Sequence, residues 1–274
     1  MNSFKLGVKK GLMSLICFLS YGKWNFRDAY NIIYEGQIKN NHSKEIFRKA
    51  FGDEYPEDVE NYSFVTLSDL NNITNHLSLK KGDCFADIAC GRGGPSMWIA
   101  RKNGAVLVGV DISDNAINSA NSRTEDFGLN GRAKFKTGNF YETGLGTESC
   151  DGAISIDALW HVPDRTKAFD EIWRILKPGG KFVFTSWDGN IPFMPDDHKD
   201  SLNESGFKIL VYEETKGWKE RQLAVYKGIL ESKDILIEEM GKKYALPLIK
   251  EAKTTPPVLE KSKRILVVAE KIVS

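Results

Sequence analysis

No stretch of this sequence is apolar for long enough to cross a bilayer, neither sign of charge dominates, and the cysteines form no CxxC pair. Each absence removes a class of function. A membrane-spanning helix needs about 20 consecutive apolar residues, and none is available. Thirty-eight Lys and Arg against thirty-seven Asp and Glu leave a net charge of +1, so no overall field draws the chain to nucleic acid or to an anionic membrane. The expected partner is a small molecule or a peptide. Cys84 and Cys90 fall in a region read as buried strand, where cysteine behaves as a small hydrophobe, and this usage suits a reducing cytoplasm. The four histidines, at 42, 76, 161 and 198, make no ligand pair at helical spacing, and no aspartate cluster fits a divalent ion, so no metal is expected.

The amino terminus has the outline of a secretory leader, with Lys5, Lys9 and Lys10 ahead of the apolar run from Leu12 to Leu19. The run is short, and no Ala-x-Ala site follows. Tyr21, Trp24, Phe26 and Tyr30 continue an aromatic pattern that suits a helix packed on the protein.

The length allows one large core, and the chain reads as a single domain with decorations. Residues 1–78 show helical periodicity broken by Gly22, Gly36, Gly52 and Pro56, which makes a helical cap. Residues 79–216 form the core of an α/β unit. Strands are expected near 84–89, 106–110, 133–137, 151–156, 181–186 and 207–212. Helices are expected near 95–103, 114–127, 165–176 and 197–205, with Gly104 and Gly128 as left-handed C-caps of the first two. A helical insertion, 217–258, precedes a last strand within 259–274. The class is therefore α/β, with a mostly parallel seven-stranded sheet whose last strand is antiparallel.

The segment Asp83-Cys84-Phe85-Ala86-Asp87-Ile88-Ala89-Cys90-Gly91-Arg92-Gly93-Gly94 places an acidic residue and a run of small residues at the carboxyl end of a buried strand, where open α/β sheets bind ligands. Small side chains let the backbone approach a ligand, and the helix that follows offers unpaired N–H donors. A lone glycine-rich turn is weak evidence. It gains weight because Val106–Val110 reads as a second strand ending in Asp111, suited to two ribose hydroxyls. A nicotinamide fingerprint would have its third small residue, Gly or Ala, at 96, where Ser96 stands, and no hydride-transfer chemistry is visible elsewhere. The turn Lys177-Pro178-Gly179-Gly180 is structural.

Together these features resemble the class I S-adenosylmethionine-dependent methyltransferases, with their Rossmann-like sheet, over about residues 65–187. The resemblance rests on Asp87-x-Ala89-Cys90-Gly91-x-Gly93-Gly94, Val110-Asp111, Gly138-Asn139, the Asp157 to Pro163 segment and Leu176 to Gly180. It implies S-adenosyl-L-methionine as cofactor. Asp87, Ala89, Gly91 and Gly93 would line its methionine end, Asp111 would hold ribose, Ile112 and Phe140 would flank adenine, and Asn139 would meet the adenine amino group. Two positions depart from the pattern: Ala89 replaces a usual Gly, and Asn139 a frequent Asp.

The acceptor side is expected past the fourth and fifth strands, at Asp157, Trp160, His161, Asp164, Arg165, Trp187 and Asp188. Carboxylates beside aromatic rings can receive an ammonium group by ion pairing and cation–π contact, which points to N-methylation of an amine, with Asp157, His161 and Asp188 as catalytic groups. The alternative is O- or C-methylation of a hydroxylated or apolar secondary metabolite with His161 as base, since an imidazole of pKa about 6.5 suits a hydroxyl. Arg165 has two readings, a binder of an acceptor carboxylate or carbonyl and a surface arginine paired with Asp164 or Asp170. Trp160, Trp187 and Trp24 are expected to bind substrate, and the cap and insertion aromatics to form lids over a flat or extended apolar acceptor.

The strip from Ala50 through Asp69 and Leu70, joined to the glycine loop, is similar to enzymes of bacterial natural-product pathways, in particular the methyltransferases that dimethylate the amino terminus of plantazolicin-type azole peptides. That resemblance implies Asp157, His161, Arg165 and Asp188 around the acceptor amine and its arginine side chain.

Overall fold

The structure, a computed structural model, describes residues 25–60, 63–189 and 197–272. The cap contributes α1 (Phe26–Ile38), α2 (His42–Phe51) and α3 (Leu67–Leu77). No strand occurs among its described residues. The start of α3 is set by a capping box: Thr66 Oγ1 accepts from the Asp69 backbone N–H, and the Asp69 carboxylate accepts from that of Thr66.

The core then alternates β1 (Cys84–Ile88), α4 (Gly94–Asn103), β2 (Val106–Asp111), α5 (Asp114–Ser122), β3 (Ala133–Thr137), β4 (Cys150–Ile156), α6 (Arg165–Ile175), β5 (Leu176–Gly189), α7 (Lys199–Glu204) and β6 (Phe207–Glu214). The insertion is α8 (Trp218–Glu231), α9 (Lys233–Met240), α10 (Lys242–Thr254) and α11 (Pro256–Leu259), followed by β7 (Ser262–Lys271). Within the insertion Gly241, at φ 81, ends α9 and separates it from α10. Pro256 and Pro257 open the short α11, with proline in the first turn where its missing N–H costs nothing. The expected helix to residue 127 ends at Ser122, and turns lead to Gly128.

All seven strands form one sheet in the order β3-β2-β1-β4-β5-β7-β6, with β7 antiparallel to both neighbours and the rest parallel. The strand order reverses between the parallel neighbours β1 and β4, so their carboxyl ends make the crevice in which such sheets bind ligands. β5 begins earlier than expected: Leu176 pairs with Cys150, and the ladder resumes at Lys181 opposite Gly152. Lys177-Pro178-Gly179-Gly180 is thus an outward excursion within the strand edge, with Gly179 at φ 77.

Strand alternation sorts side chains onto two faces. Phe85, Leu107, Ile154, Val183 and Leu266 pack under α3, α4 and α5. Ala86, Ala153, Phe182, Phe184 and Val267 pack under α6 and α7. Phe169 of α6 meets Phe182 and Phe184 at centroid distances of 6.0 Å each, and each such ring buried contributes about 1.5–3 kcal/mol. A third cluster lies where the cap, the insertion and the carboxyl end of β5 meet, around Phe47, Phe51, Trp187, Trp218 and Tyr226.

Candidate active site

The glycine loop folds back on the end of β2. Asp111 is 5% exposed, its Oδ2 accepts from the Gly91 N–H at 2.8 Å, and its Oδ1 accepts from the Ser113 N–H at 2.9 Å. Burial raises its pKa, and these backbone donors pull it back down. Asp87, at the end of β1, is 3% exposed, and burial pushes its carboxyl up to about 7 against a hydrogen bond from Ser96. Between them Ala89, Gly91 and Gly93 all take left-handed backbone, at φ 63, 53 and 73. A side chain at Gly91 would strike the Tyr34 hydroxyl at 2.5 Å, and one at Gly93 would strike the Phe135 ring at 2.6 Å. Two carboxylates and a cradle closed to side chains fit a ligand with a cationic group and a diol.

Tyr34 of α1 was read as a cap aromatic. Its hydroxyl is enclosed beside this loop, where burial and the nearby Asp111 and Asp87 carboxylates raise its pKa well above the ordinary tyrosine value. The cap therefore reaches the ligand crevice. On the other side of Asp111, a cleft of about 740 Å³ is lined by Asn25 to Asp28, Ile112, and residues from Lys136 to Asn139. Ile112 accepts Arg27 Nε at its carbonyl, 3.0 Å away, and Asn139 Oδ1 accepts the Tyr141 N–H at 2.8 Å. Phe140 packs, partly buried, on the α6-side core.

The expected acceptor residues do not form one group. Trp187 and Asp188 are consecutive on β5, so they project from opposite faces. On the cap face, Trp187 is 5% exposed and meets Phe64 and Trp160 edge-on, with centroids 6.2 and 6.5 Å apart, and Trp160 Nε1 donates to the Asp157 carbonyl at 3.1 Å. On the other face, Asp188 Oδ2 accepts the Tyr212 hydroxyl at 2.8 Å, and His198 lies beside it, its Nε2 3.1 Å from Ser186 Oγ. Burial raises the Asp188 carboxyl to about 6.

Asp157, expected as a catalytic carboxylate, is engaged by four donors in this structure. Its Oδ1 accepts Arg264 Nε at 3.0 Å and Thr185 Oγ1 at 2.8 Å, while Oδ2 accepts Arg264 Nη2 at 3.3 Å and the Phe64 N–H at 3.0 Å. Arg264, wholly buried on β7, also donates to Asp69 Oδ2 at 2.8 Å and stacks near Trp187. The sequence assigns neither Arg264 nor Asp69 a site role, although an arginine inside the apolar run of the last strand was the available signal. Arg165 is 8% exposed, not a surface arginine, and forms no ion pair with Asp164 or Asp170. His161 sits on the 3-10 turn Leu159–His161 after β4, and its side chain lies outside the described residues, as does Trp24.

Residues 86–184 match the family described as "Methyltransferase domain". The 24-methylenesterol C-methyltransferase 2 of Oryza sativa subsp. japonica is 36% identical over 115 residues, which is 42% of this chain and 32% of that protein. The match thus spans about a third of the relative's length. Among solved structures, phosphoethanolamine N-methyltransferase 2 of Haemonchus contortus, in complex with phosphomonomethylethanolamine and S-adenosylhomocysteine, shares the fold at TM-score 0.66 and 22% identity, over 84% of this chain and 58% of that one. The cyclopropane synthase MmaA2 of Mycobacterium tuberculosis does so at TM-score 0.71 and 13% identity, over 88% and 98%.

Proposed function

We infer that this chain, a class I S-adenosylmethionine-dependent methyltransferase by its sheet and its domain match, methylates a small apolar metabolite at carbon or oxygen. Asp87, Ala89, Gly91 and Gly93 are assigned to the methionine end of the cofactor, Asp111 to its ribose, and Ile112, Asn139 and Phe140 to adenine. The bound cofactor supplies an electrophilic methyl group; the chain's own residues bind, orient and exclude water.

The observation that carries the acceptor assignment is the commitment of Asp157 to Arg264, which leaves the cap-face aromatic cluster of Phe64, Trp160 and Trp187 without a described free carboxylate. Rings of this kind would desolvate an apolar body laid against them, and ring faces stabilise positive charge that develops on carbon as a carbon nucleophile attacks. His161 is the proposed base for the proton then lost from the acceptor. The sterol C-methyltransferase relative supports an apolar acceptor.

The amine reading, including an azole-peptide amino terminus in a natural-product pathway, has one observation in its favour: Asp188 Oδ1 is buried without a hydrogen-bond partner and could receive an ammonium. The cysteine usage supports a cytoplasmic setting, and no helix among the described residues is long and apolar enough to cross a membrane. Incubation with labelled S-adenosylmethionine and matched isoprenoid, hydroxylated and amine-ended acceptors separates the readings. Transfer confined to amines would overturn the apolar assignment.

A further inference from the structure

On the α6 and α7 face of β5, behind Trp187, three buried polar atoms lack a hydrogen-bond partner among the described residues, although Asp188 Oδ1 lies 3.8 Å from His198 Nε2. Arg165 Nε, Asp188 Oδ1 and His198 Nδ1 make no hydrogen bond, and Arg165 joins no ion pair. Arg165 is 8% exposed and His198 is fully buried. Their neighbours hold them still: the His198 ring stands edge-on to Phe169 and Phe184, with centroids 6.2 and 5.3 Å away, and Tyr212 both donates to Asp188 and accepts the His198 backbone N–H at 3.0 Å. Asp188 attracts the Arg165 guanidinium without forming an ion pair with it, and a buried guanidinium compensated only at a distance is costly, so a site that keeps one fixed is suited to receive an anion. Burial already draws the Arg165 pKa down to about 10.

Resting on the methyl-transfer reading above, we propose that the acceptor is an amphiphile whose anionic head, a carboxylate or a phosphate, is received by Arg165 while its apolar body lies against Phe64, Trp160 and Trp187. The two regions flank one strand end, since Trp187 and Asp188 are adjacent in the chain and project to opposite faces. A guanidinium offers a planar fork that matches either oxyanion. Asp188 Oδ1 and His198 Nδ1 take a hydroxyl or amine hydrogen on the same head, which favours a monoester phosphate or a hydroxy or amino acid over a bare anion.

Three ligands with one hydrocarbon body test this: geraniol, geranate and geranyl monophosphate, titrated calorimetrically into the full chain with S-adenosylhomocysteine. Either anion should bind at least tenfold more tightly than geraniol, and the better of the two identifies the head. Arg165→Gln should erase that preference and Arg165→Lys should restore part of it. Equal binding of all three by the unaltered chain, or a preference that survives Arg165→Gln, overturns the proposal. If Arg165→Gln does not fold, the comparison on the unaltered chain decides. S-adenosylhomocysteine titrated alone keeps the two readings apart: binding of it without anion preference sinks only this proposal, and anion preference without it sinks only the methyl-transfer reading.

Discussion

Arg264 Nε lies 3.0 Å from Asp157 Oδ1, a contact between a wholly buried guanidinium and a carboxylate with little exposure that fastens the seventh strand to the end of the fourth. The same guanidinium reaches Asp69 in α3 at 2.8 Å, and Asp157 reaches the Phe64 N–H. One arginine thus ties the cap, the acceptor-side loop and the sheet together. Asp157 itself has φ 55, a strained value for a non-glycine residue, which this network holds in place.

Arg264→Met leaves two buried carboxylates without their cation and should destabilise the fold by about 3–5 kcal/mol, read by urea denaturation. Adding Asp157→Asn to that variant should recover part of the loss. Strict additivity of the two single changes would show that the pair is not coupled.

Asp111 holds the glycine loop through the Gly91 N–H, and it is the proposed ribose ligand. Asp111→Ala should weaken S-adenosylhomocysteine binding about tenfold to a hundredfold, in keeping with about 1.5–3 kcal/mol for hydrogen bonds to a charged group. Calorimetric titration checks it; an unchanged affinity removes Asp111 from the cofactor site.

The Asp87 carboxyl titrates near 7 in the folded chain, against about 4 when unfolded. The folded state therefore keeps a proton that the unfolded state has released, and stability present below pH about 4 is lost as pH rises through about 7. Asp188, raised to about 6, acts in the same direction. The cofactor-free protein should melt at lower temperature at pH 8 than at pH 5. Asp87→Asn should narrow that gap and weaken S-adenosylhomocysteine binding, whereas an unaltered gap would rule out Asp87 as its source.

Ala89 has φ 63, where a Cβ costs about 1–2 kcal/mol. Ala89→Gly removes that strain at an entropic cost of about 0.5–1 kcal/mol, so a net gain of up to about 1 kcal/mol is expected from the denaturation midpoint. Ala89→Val should be clearly destabilising. A loss of stability on Ala89→Gly would show that the methyl group packs usefully.

The strands were legible because short β-branched and apolar runs between turn residues repeat across 84–186, and the observed boundaries differ mainly at β5, where Leu176 pairs before the Lys177–Gly180 excursion. The glycine loop and Asp111 were legible because their chemistry is local: a strand end, small residues and a carboxylate lie within one βαβ unit. Tyr34, Arg264, Asp69, His198 and Tyr212 were not. Each acts on residues tens to hundreds of positions away, and no local pattern records which strands or helices become neighbours.

By itself the sequence determined the alternation of strands and helices, the place of the ligand crevice and the residues that line it, since hydrophobic period and turn chemistry act within a few residues. Only the tertiary structure decided how the acceptor-side residues divide. Asp157 lost its freedom to an arginine 107 positions along the chain, and Trp187 and Asp188 were sent to opposite faces, one into an aromatic cluster and the other beside Tyr212 and His198. The physical reason is that a side chain's availability depends on which partners burial brings to it, and burial is a property of the packed sheet.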